Sequence, residues 1–165
     1  MTAEPEITYR AAQPYVAIPA HVTMQALATD LPPLNGEVFR WLAARGIEPA
    51  GPPFWKYNVI DMDRELSMEV GSPVSSAVSG DERTVVGFLP AGRYVTVRHV
   101  GHPSTLYDAT GALVDWAAAK GLKWDMSPSP EGERWGCRLE NYLSDPDTEP
   151  DMNRWVTELA FRLAD

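Results

Sequence analysis

The chain has 165 residues, of which 44% are apolar and 22% are charged, and its 23 acidic against 14 basic residues give a net charge of −9. This composition is typical of one folded domain with a real core and excludes an intrinsically disordered chain. The acidic balance argues against direct nucleic-acid binding, which needs clustered lysine and arginine. The single cysteine, Cys137, excludes an internal disulfide framework and a thiolate metal cage.

No segment has the pattern of a signal peptide or of a membrane helix. Residues 1–15 contain two glutamates and two prolines without an apolar run. Nowhere does the chain approach the roughly 18 consecutive apolar residues that a membrane helix needs. We therefore expect a cytoplasmic protein without membrane contact.

The predicted elements repeat along the chain. Each half begins with a strand around a tyrosine, at residues 15–18 and 94–97. Each continues with a helix that ends in a basic residue followed by glycine, at Arg45-Gly46 and Lys120-Gly121. A cation near the last carbonyls and a glycine just beyond them are typical of a helix end. Each half then has a proline-rich loop, a strand, an acidic turn and a last strand.

We interpret this order as β-α-β-β twice, in one domain whose halves span about 1–78 and 83–165. A chance coincidence of common elements is the alternative. Apolar residues recur at helical spacing in both helices. They are Leu34, Val38, Trp41 and Leu42 in the first and Leu106, Ala109, Leu113, Trp116 and Ala117 in the second. The fold class is therefore α+β: an antiparallel sheet with pseudo-two-fold symmetry, helices on one face and a ligand cleft on the other.

Strands in the second half are predicted from β-branched and aromatic residues. They span 84–89, 93–99, 135–143 and 155–163. Segments 71–82 and 126–133 are predicted to be polar loops, and the first of them joins the two halves. Residues 90–92 are predicted to form a hairpin or a bend.

The strand at 135–143 carries the most informative pattern, because strand side chains alternate between faces. One face holds Trp135, Cys137, Leu139 and Leu143, and the other holds Gly136, Arg138, Glu140 and Tyr142. The first set is apolar and is expected to meet the helices. Glu140 and Tyr142 are therefore predicted to lie on the open, concave face, in a cleft between the halves.

A carboxylate among aromatic rings selects for cationic ligands, because it is costly to desolvate unless an opposite charge arrives. Trp55 and Tyr57 share one face of their strand, and Phe88 lies on the strand before Gly92. These aromatics are candidates for the walls of such a pocket. The alternative is an ion pair between Glu140 and Arg138 on a solvated face, with the aromatics in the core.

Metal and cofactor sites are not predicted. Of His21, His99 and His102, two are three residues apart across a strand-to-turn junction, and no cysteine or carboxylate is spaced to complete a site. Cys137 is expected to be a buried, inert thiol. The acidic residues of 145–151 lack the spaced ligands and glycine of a calcium loop, so a solvated turn is expected.

Three segments resemble the GyrI-like domain, which is also the effector-binding half of multidrug-sensing transcription regulators such as BmrR and Rob. Residues 89–95 (LPAGRYV) are similar to its strand entry, and 98–106 (RHVGHPSTL) to its strand-to-helix turn. Residues 139–146 (LENYLSDP) are similar to its glutamate strand and acidic turn. The order and spacing of the three segments carry the resemblance over nearly the whole chain. Pro103 departs from the family, which usually has Tyr or Phe there.

The resemblance implies that Glu140 is the cleft glutamate that meets cationic, aromatic ligands, and that Tyr142 is its neighbour on the same face. Weaker candidates for ligand contact are Trp55, Tyr57, Phe88 and Trp135, although alternation places Trp135 on the helix-facing side. Some family members hydrolyse cyclopropane-bearing genotoxins, and this activity would make Glu140 and Tyr142 catalytic. Other members bind and inhibit DNA gyrase.

Three functions therefore compete. The first is a stand-alone protein that binds hydrophobic, often cationic small molecules, without a DNA-reading module, a metal or a cofactor. The second is a cyclopropane hydrolase that uses the same pocket. The third is an interaction protein that inhibits gyrase, for which the charge of −9 offers a mimic of nucleic acid.

Overall fold

Ten strands and three helices follow one another along residues 2–165, the part of the chain that the computed structural model describes. The strands are β1 (Glu6–Arg10), β2 (Gln13–Val22), β3 (Phe54–Ile60), β4 (Leu66–Pro73), β5 (Val85–Leu89), β6 (Gly92–Val100), β7 (Met126–Ser129), β8 (Gly132–Trp135), β9 (Arg138–Tyr142) and β10 (Val156–Arg162). The helices are α1 (Leu27–Asp30), α2 (Pro32–Ala44) and α3 (Leu106–Ala119). None of the helices in residues 2–165 is long and apolar enough to cross a membrane.

All the strands form one antiparallel sheet in the order β1-β6-β10-β9-β3-β4-β2-β5, with the β7–β8 hairpin attached to β3 through β8. The central neighbours β9 and β3 come from different halves of the chain. Outwards from them, β10, β6 and β1 on one side correspond to β4, β2 and β5 on the other, as pseudo-two-fold symmetry requires. The leading strand of each half lies at the outer edge of the other half, because β1 pairs with β6 and β5 pairs with β2. The α+β antiparallel fold class is confirmed.

The two long helices end as their sequences predict. Gly46 and Gly121 have φ values of 67° and 68°, in the left-handed region that favours glycine. After each glycine, the next residue donates its N–H to the carbonyl five residues back, in the bonds Ile47 N–Leu42 O and Leu122 N–Ala117 O. This is the hydrogen-bond pattern of a Schellman end, so both helices stop by the same device.

The core lies on both faces of the sheet. On one face, the buried stripes of α2 and α3 pack against the strands, with Val38, Leu42 and Leu113 at 4% exposure or less. The other face has a smaller apolar cluster of its own, made of Tyr15, Ala17, Phe54, Tyr94, Cys137, Leu139 and Ala160. Helices contribute no buried residue to this second cluster.

The predicted orientation of the glutamate strand is therefore wrong. Cys137 and Leu139 pack in the second cluster, whereas Glu140 pairs across to Leu159, which lies in the core beneath the helices. The cleft is consequently on the same face as the helices, not on the opposite one. An apolar set of side chains could not show which face the helices cover, because both faces are apolar.

The predicted strand 135–143 is interrupted at its second and third residues. Gly136 donates its N–H to the Asp125 carbonyl, and a Cβ there would lie 1.7 Å from the Asp125 carboxylate. The interruption separates β8 from β9 and breaks the alternation. Trp135 therefore reaches the helix-side core, as predicted, although Glu140 lies on that face too.

Two loop predictions also change, and the two alternatives for a third are reduced to one. The segment 71–82 is not wholly a loop, because Gly71–Pro73 completes β4 and is buried. The segment 126–133 is not a loop but most of the β7–β8 hairpin. Residues 90–92 form a bend, since β5 and β6 pair with other strands.

We expect Gly71→Ala to lower the free energy of unfolding by about 1–3 kcal/mol, as overpacking of a core does. A Cβ at this position would meet the Val16 carbonyl oxygen at 2.7 Å and the Phe54 ring at 2.9 Å. The matched control is Gly111→Ala in α3, where a Cβ meets nothing within 4 Å. Alanine there should stabilise the helix by about 0.5–1 kcal/mol. Urea unfolding of both variants measures the difference, and equal effects would contradict the packing described here.

Candidate ligand-binding site

The site lies where the two halves of the chain meet, on the central strands β3 and β9. Trp55 and Glu140 are direct partners in the register of these strands. Tyr57 and Tyr142 follow two residues later on their respective strands, so alternation turns all four side chains to the helix face. One carboxylate and three aromatic rings from distant parts of the sequence thus form one cluster.

Both tyrosines donate hydrogen bonds to the same carboxylate oxygen. The Tyr57 hydroxyl lies 2.9 Å and the Tyr142 hydroxyl 2.7 Å from Glu140 Oε1. The other oxygen, Oε2, accepts no hydrogen bond from residues 2–165. Glu140 is only 8% exposed.

Burial raises the pKa of Glu140, and the hydrogen bonds from Tyr142 and Tyr57 and the charge of Arg138 oppose that rise. Burial and the nearby Glu140 charge also raise the pKa of both tyrosines well above the ordinary value. The tyrosines therefore keep their protons and remain donors. The raised pKa of the carboxyl reflects a charge that the protein alone does not fully compensate.

Trp55 is held by two contacts. Its indole ring meets the Tyr142 ring edge to face, with centroids 5.2 Å apart and an interplanar angle of 74°. Its Nε1–H donates to Asn35 Oδ1 on α2 at 2.9 Å. The indole is thereby locked between sheet and helix, with one contact to each.

A cavity of about 970 Å³ opens between the sheet and the helices, with Glu140, Tyr142, Trp55 and Tyr57 among its lining residues. Its walls come from β3 and β9 below and from α1, α2 and α3 above. Four large apolar side chains that are exposed to solvent belong to the same lining: Phe39, Met62, Tyr107 and Met152. Exposed apolar residues gathered at one opening are typical of a site for a hydrophobic partner.

Arg138 also lines the cavity, but it does not pair with Glu140 as the alternative sequence interpretation supposed. Its guanidinium carbon lies 4.5 Å from the centroid of Phe161, 4.7 Å from that of Trp135 and 5.7 Å from that of Tyr57. Aromatic faces therefore hold this cation in place.

The structure brings four of the six predicted contact residues together, and two lie elsewhere. Phe88 is 59% exposed on the edge strand β5, outside the cavity lining. Trp135 is buried and packs against Trp124 and Phe161 instead of lining the cavity. An edge position and a break in the strand account for the two displacements.

The helix contributions to the site were not predicted. Phe39 and Tyr107 lie outside the buried stripes of α2 and α3. Large aromatic side chains outside a buried stripe were the sequence signal that could have indicated a contact with a ligand. Asn35 carried no signal in the sequence, because its role depends on meeting Trp55 from another element.

The histidines have different surroundings. His99 contacts the hydroxyls of Thr2 and Thr105 at 2.6 Å each, and His102 lines the cavity. Residues 2–165 contain no group of three or more His, Cys, Asp or Glu side chains placed to hold a metal ion. Cys137 is buried, and burial raises the pKa of its thiol.

Comparison with solved structures places this fold beside other small domains. The C-terminal domain of EcmrR has a TM-score of 0.74 at 17% identity, over 98% of both chains. SAV2435 bound to tetraphenylphosphonium has a TM-score of 0.63 at 9% identity, over 98% of this chain and 94% of that one. A hydrolase from Listeria innocua has a TM-score of 0.61 at 14% identity, over 98% and 92%.

The match to a longer protein is partial. In a complex of EcmrR with DNA, the similarity has a TM-score of 0.75 at 17% identity and covers 98% of this chain but 57% of the EcmrR chain. A comparison with curated protein sequences found no match. The family model described as "GyrI-like small molecule binding domain" matches residues 3–164. The chain therefore belongs to the GyrI-like family of small-molecule-binding domains.

Proposed function

We propose that the protein binds bulky, hydrophobic aromatic cations in the cavity between its two halves, with Glu140 as the counter-charge. One observation carries this proposal. A buried carboxylate has one oxygen held by two tyrosines, while its other oxygen has no partner among residues 2–165 and the surrounding walls are aromatic.

The physical reason is the cost of burying a charge. A buried carboxylate with incomplete compensation is unfavourable, and a cation that reaches Oε2 lowers that cost. The faces of Trp55, Tyr57 and Tyr142 attract the same cation through their quadrupoles and supply apolar contact area. The neighbour SAV2435 was solved with tetraphenylphosphonium, a ligand of this class, which supports the proposal.

Glu140→Gln should weaken binding of tetraphenylphosphonium by about 10- to 100-fold, the range expected when a contact to a charged group is lost. Quenching of the cavity indole Trp55 and isothermal titration calorimetry both measure the affinity. Glu158→Gln is the matched control, because Glu158 lies on the neighbouring strand and turns to the opposite face, where it pairs with Arg10. An unchanged affinity in Glu140→Gln would refute the role of the glutamate.

The affinity for tetraphenylphosphonium should fall as the pH is lowered through the raised pKa of Glu140, and this decline should begin above pH 4.5, the ordinary value for a glutamate. Only the ionised carboxylate attracts the cation, and the charge of the ligand does not change with pH. His102 and Asp115 also line the cavity. The pH profile of Glu140→Gln therefore serves as the control, because any pH dependence that these two residues cause is still present in that variant. Parallel pH profiles for the wild type and this variant would count against the assignment.

A second function, hydrolysis of a strained cyclopropane ring, is favoured by the same group of residues. A carboxylate of raised pKa suits a general base near neutral pH, and Oε2 is open to a water molecule. Water would attack a ring carbon and lose its proton to Glu140. The ring C–C bond would open, and its electron pair would move onto an adjacent carbonyl, to which the Tyr142 hydroxyl turns its hydrogen bond from the now protonated Glu140. The proton would then return from Glu140 to the opened carbon, so that the product gains one water and Glu140 is ionised again. A neighbour described as a hydrolase from Listeria innocua supports this candidate.

Incubation with a cyclopropane-bearing alkylator should then yield the ring-opened product, detected by mass spectrometry with one added water. Glu140→Gln should abolish turnover, and Tyr142→Phe should slow it by about 100-fold, as the loss of an oxyanion donor does. Tyr9→Phe, on the exposed edge strand β1 and outside the cavity lining, is the control. Tight binding without product across a panel of such compounds would refute the hydrolase function, and only the binding function would remain.

A further inference from the structure

A positively charged side chain also lines the cavity and has no part in the proposed function. Arg138 precedes Glu140 by two residues on β9, so both side chains face the cavity, about 7 Å apart along the strand. The deep part of the site therefore holds one positive and one negative side chain. The charges of Arg138 and Glu140 sum to zero, which differs from the purely acidic pocket that a simple cation would favour.

The guanidinium of Arg138 has unused donors. Its Nε–H is fully buried and has no hydrogen-bond partner. Among residues 2–165, no carboxylate, carbonyl or hydroxyl accepts a hydrogen bond from its other nitrogens. An arginine stays charged at all relevant pH values, and its five donors form a planar fork that matches a carboxylate.

The guanidinium nevertheless has a defined position. Phe161 is its cross-strand partner on β10, and the rings of Tyr57 and Trp135 lie near the same guanidinium. The ring faces hold the cation in place, but they do not satisfy its N–H donors. An anion would accept hydrogen bonds from these donors. The arrangement is a pre-positioned cation beside a hydrophobic cavity, and a ligand that carries an acceptor group completes it.

We propose that the preferred ligand is an amphoteric aromatic molecule, whose cationic end meets Glu140 and whose carboxylate meets Arg138. This inference rests on the proposed binding function and narrows its ligand class. A zwitterion compensates both charges at once. A simple cation compensates Glu140 only and is repelled by Arg138, whereas a simple anion leaves Glu140 uncompensated.

Two dyes test the inference, because they differ only at the group concerned. Rhodamine 110 carries a cationic xanthene and a free carboxylate, and rhodamine 123 is its methyl ester. At pH 7.5 the wild type should bind rhodamine 110 at least about ten-fold more tightly, the gain expected from a charge-assisted pair. Fluorescence anisotropy measures both affinities.

Variants assign the preference to its residues. Arg138→Gln should reduce the ratio of the two affinities to about one, and Arg138→Lys, which keeps the charge without the planar fork, should give an intermediate ratio. Glu140→Gln should weaken both dyes alike and leave their ratio unchanged. Circular dichroism and urea unfolding check that each variant is folded, and the wild-type comparison needs no variant at all.

Each contrary result has a distinct meaning. Equal affinities for the two dyes in the wild type, or an unchanged ratio in a folded Arg138→Gln, would overturn the role of Arg138 while the binding of cations stands. Binding of tetraphenylphosphonium without either dye would overturn the amphoteric class in the same way. Failure of the dyes and of tetraphenylphosphonium together would overturn both this inference and the proposed function.

Discussion

The pairing of β3 with β9 is the contact on which the rest of the site depends. It joins two stretches of chain more than 80 residues apart, and its register sets Trp55 directly against Glu140. Because the strands are antiparallel, Tyr57 and Tyr142 lie on either side of that pair and both reach the same carboxylate oxygen. A shift of one residue in the register would turn Glu140 into the opposite apolar cluster. The position of the carboxylate beside the two tyrosines therefore depends on this register.

The second constraint is electrostatic. Burial of Glu140 is tolerated because two hydroxyls donate to it, and the half-buried Arg138 is held by three aromatic rings. Neither charge is neutralised by the other through an ion pair. Such incompletely compensated groups are costly to a fold, and their presence at the base of an apolar cavity is typical of a site that completes itself with a ligand.

Much of the architecture could be predicted, because its signals are local. The left-handed glycines at the two helix ends, the buried stripes of α2 and α3, and the positions of several strands, such as β5 and β6, follow from residue type and period. The errors about the site have one source in common. The face of Glu140, the place of Trp135 and the isolation of Phe88 each depend on what lies across the sheet, and spacing along the chain does not contain that information.

The sequence by itself determined the elements, their repetition, the alternation that sets Glu140 apart from Leu139, and the resemblance that singles out that glutamate. Only the tertiary structure decided that the helices share the face of Glu140, that Tyr57 adds a second hydrogen bond to its Oε1, and that Arg138 is left without an acceptor. The physical reason is that both sheet faces are apolar. Hydrophobicity could show that the strand is buried on both sides. Which side faces the cavity depends on the face against which the helices pack, and only the tertiary structure shows that.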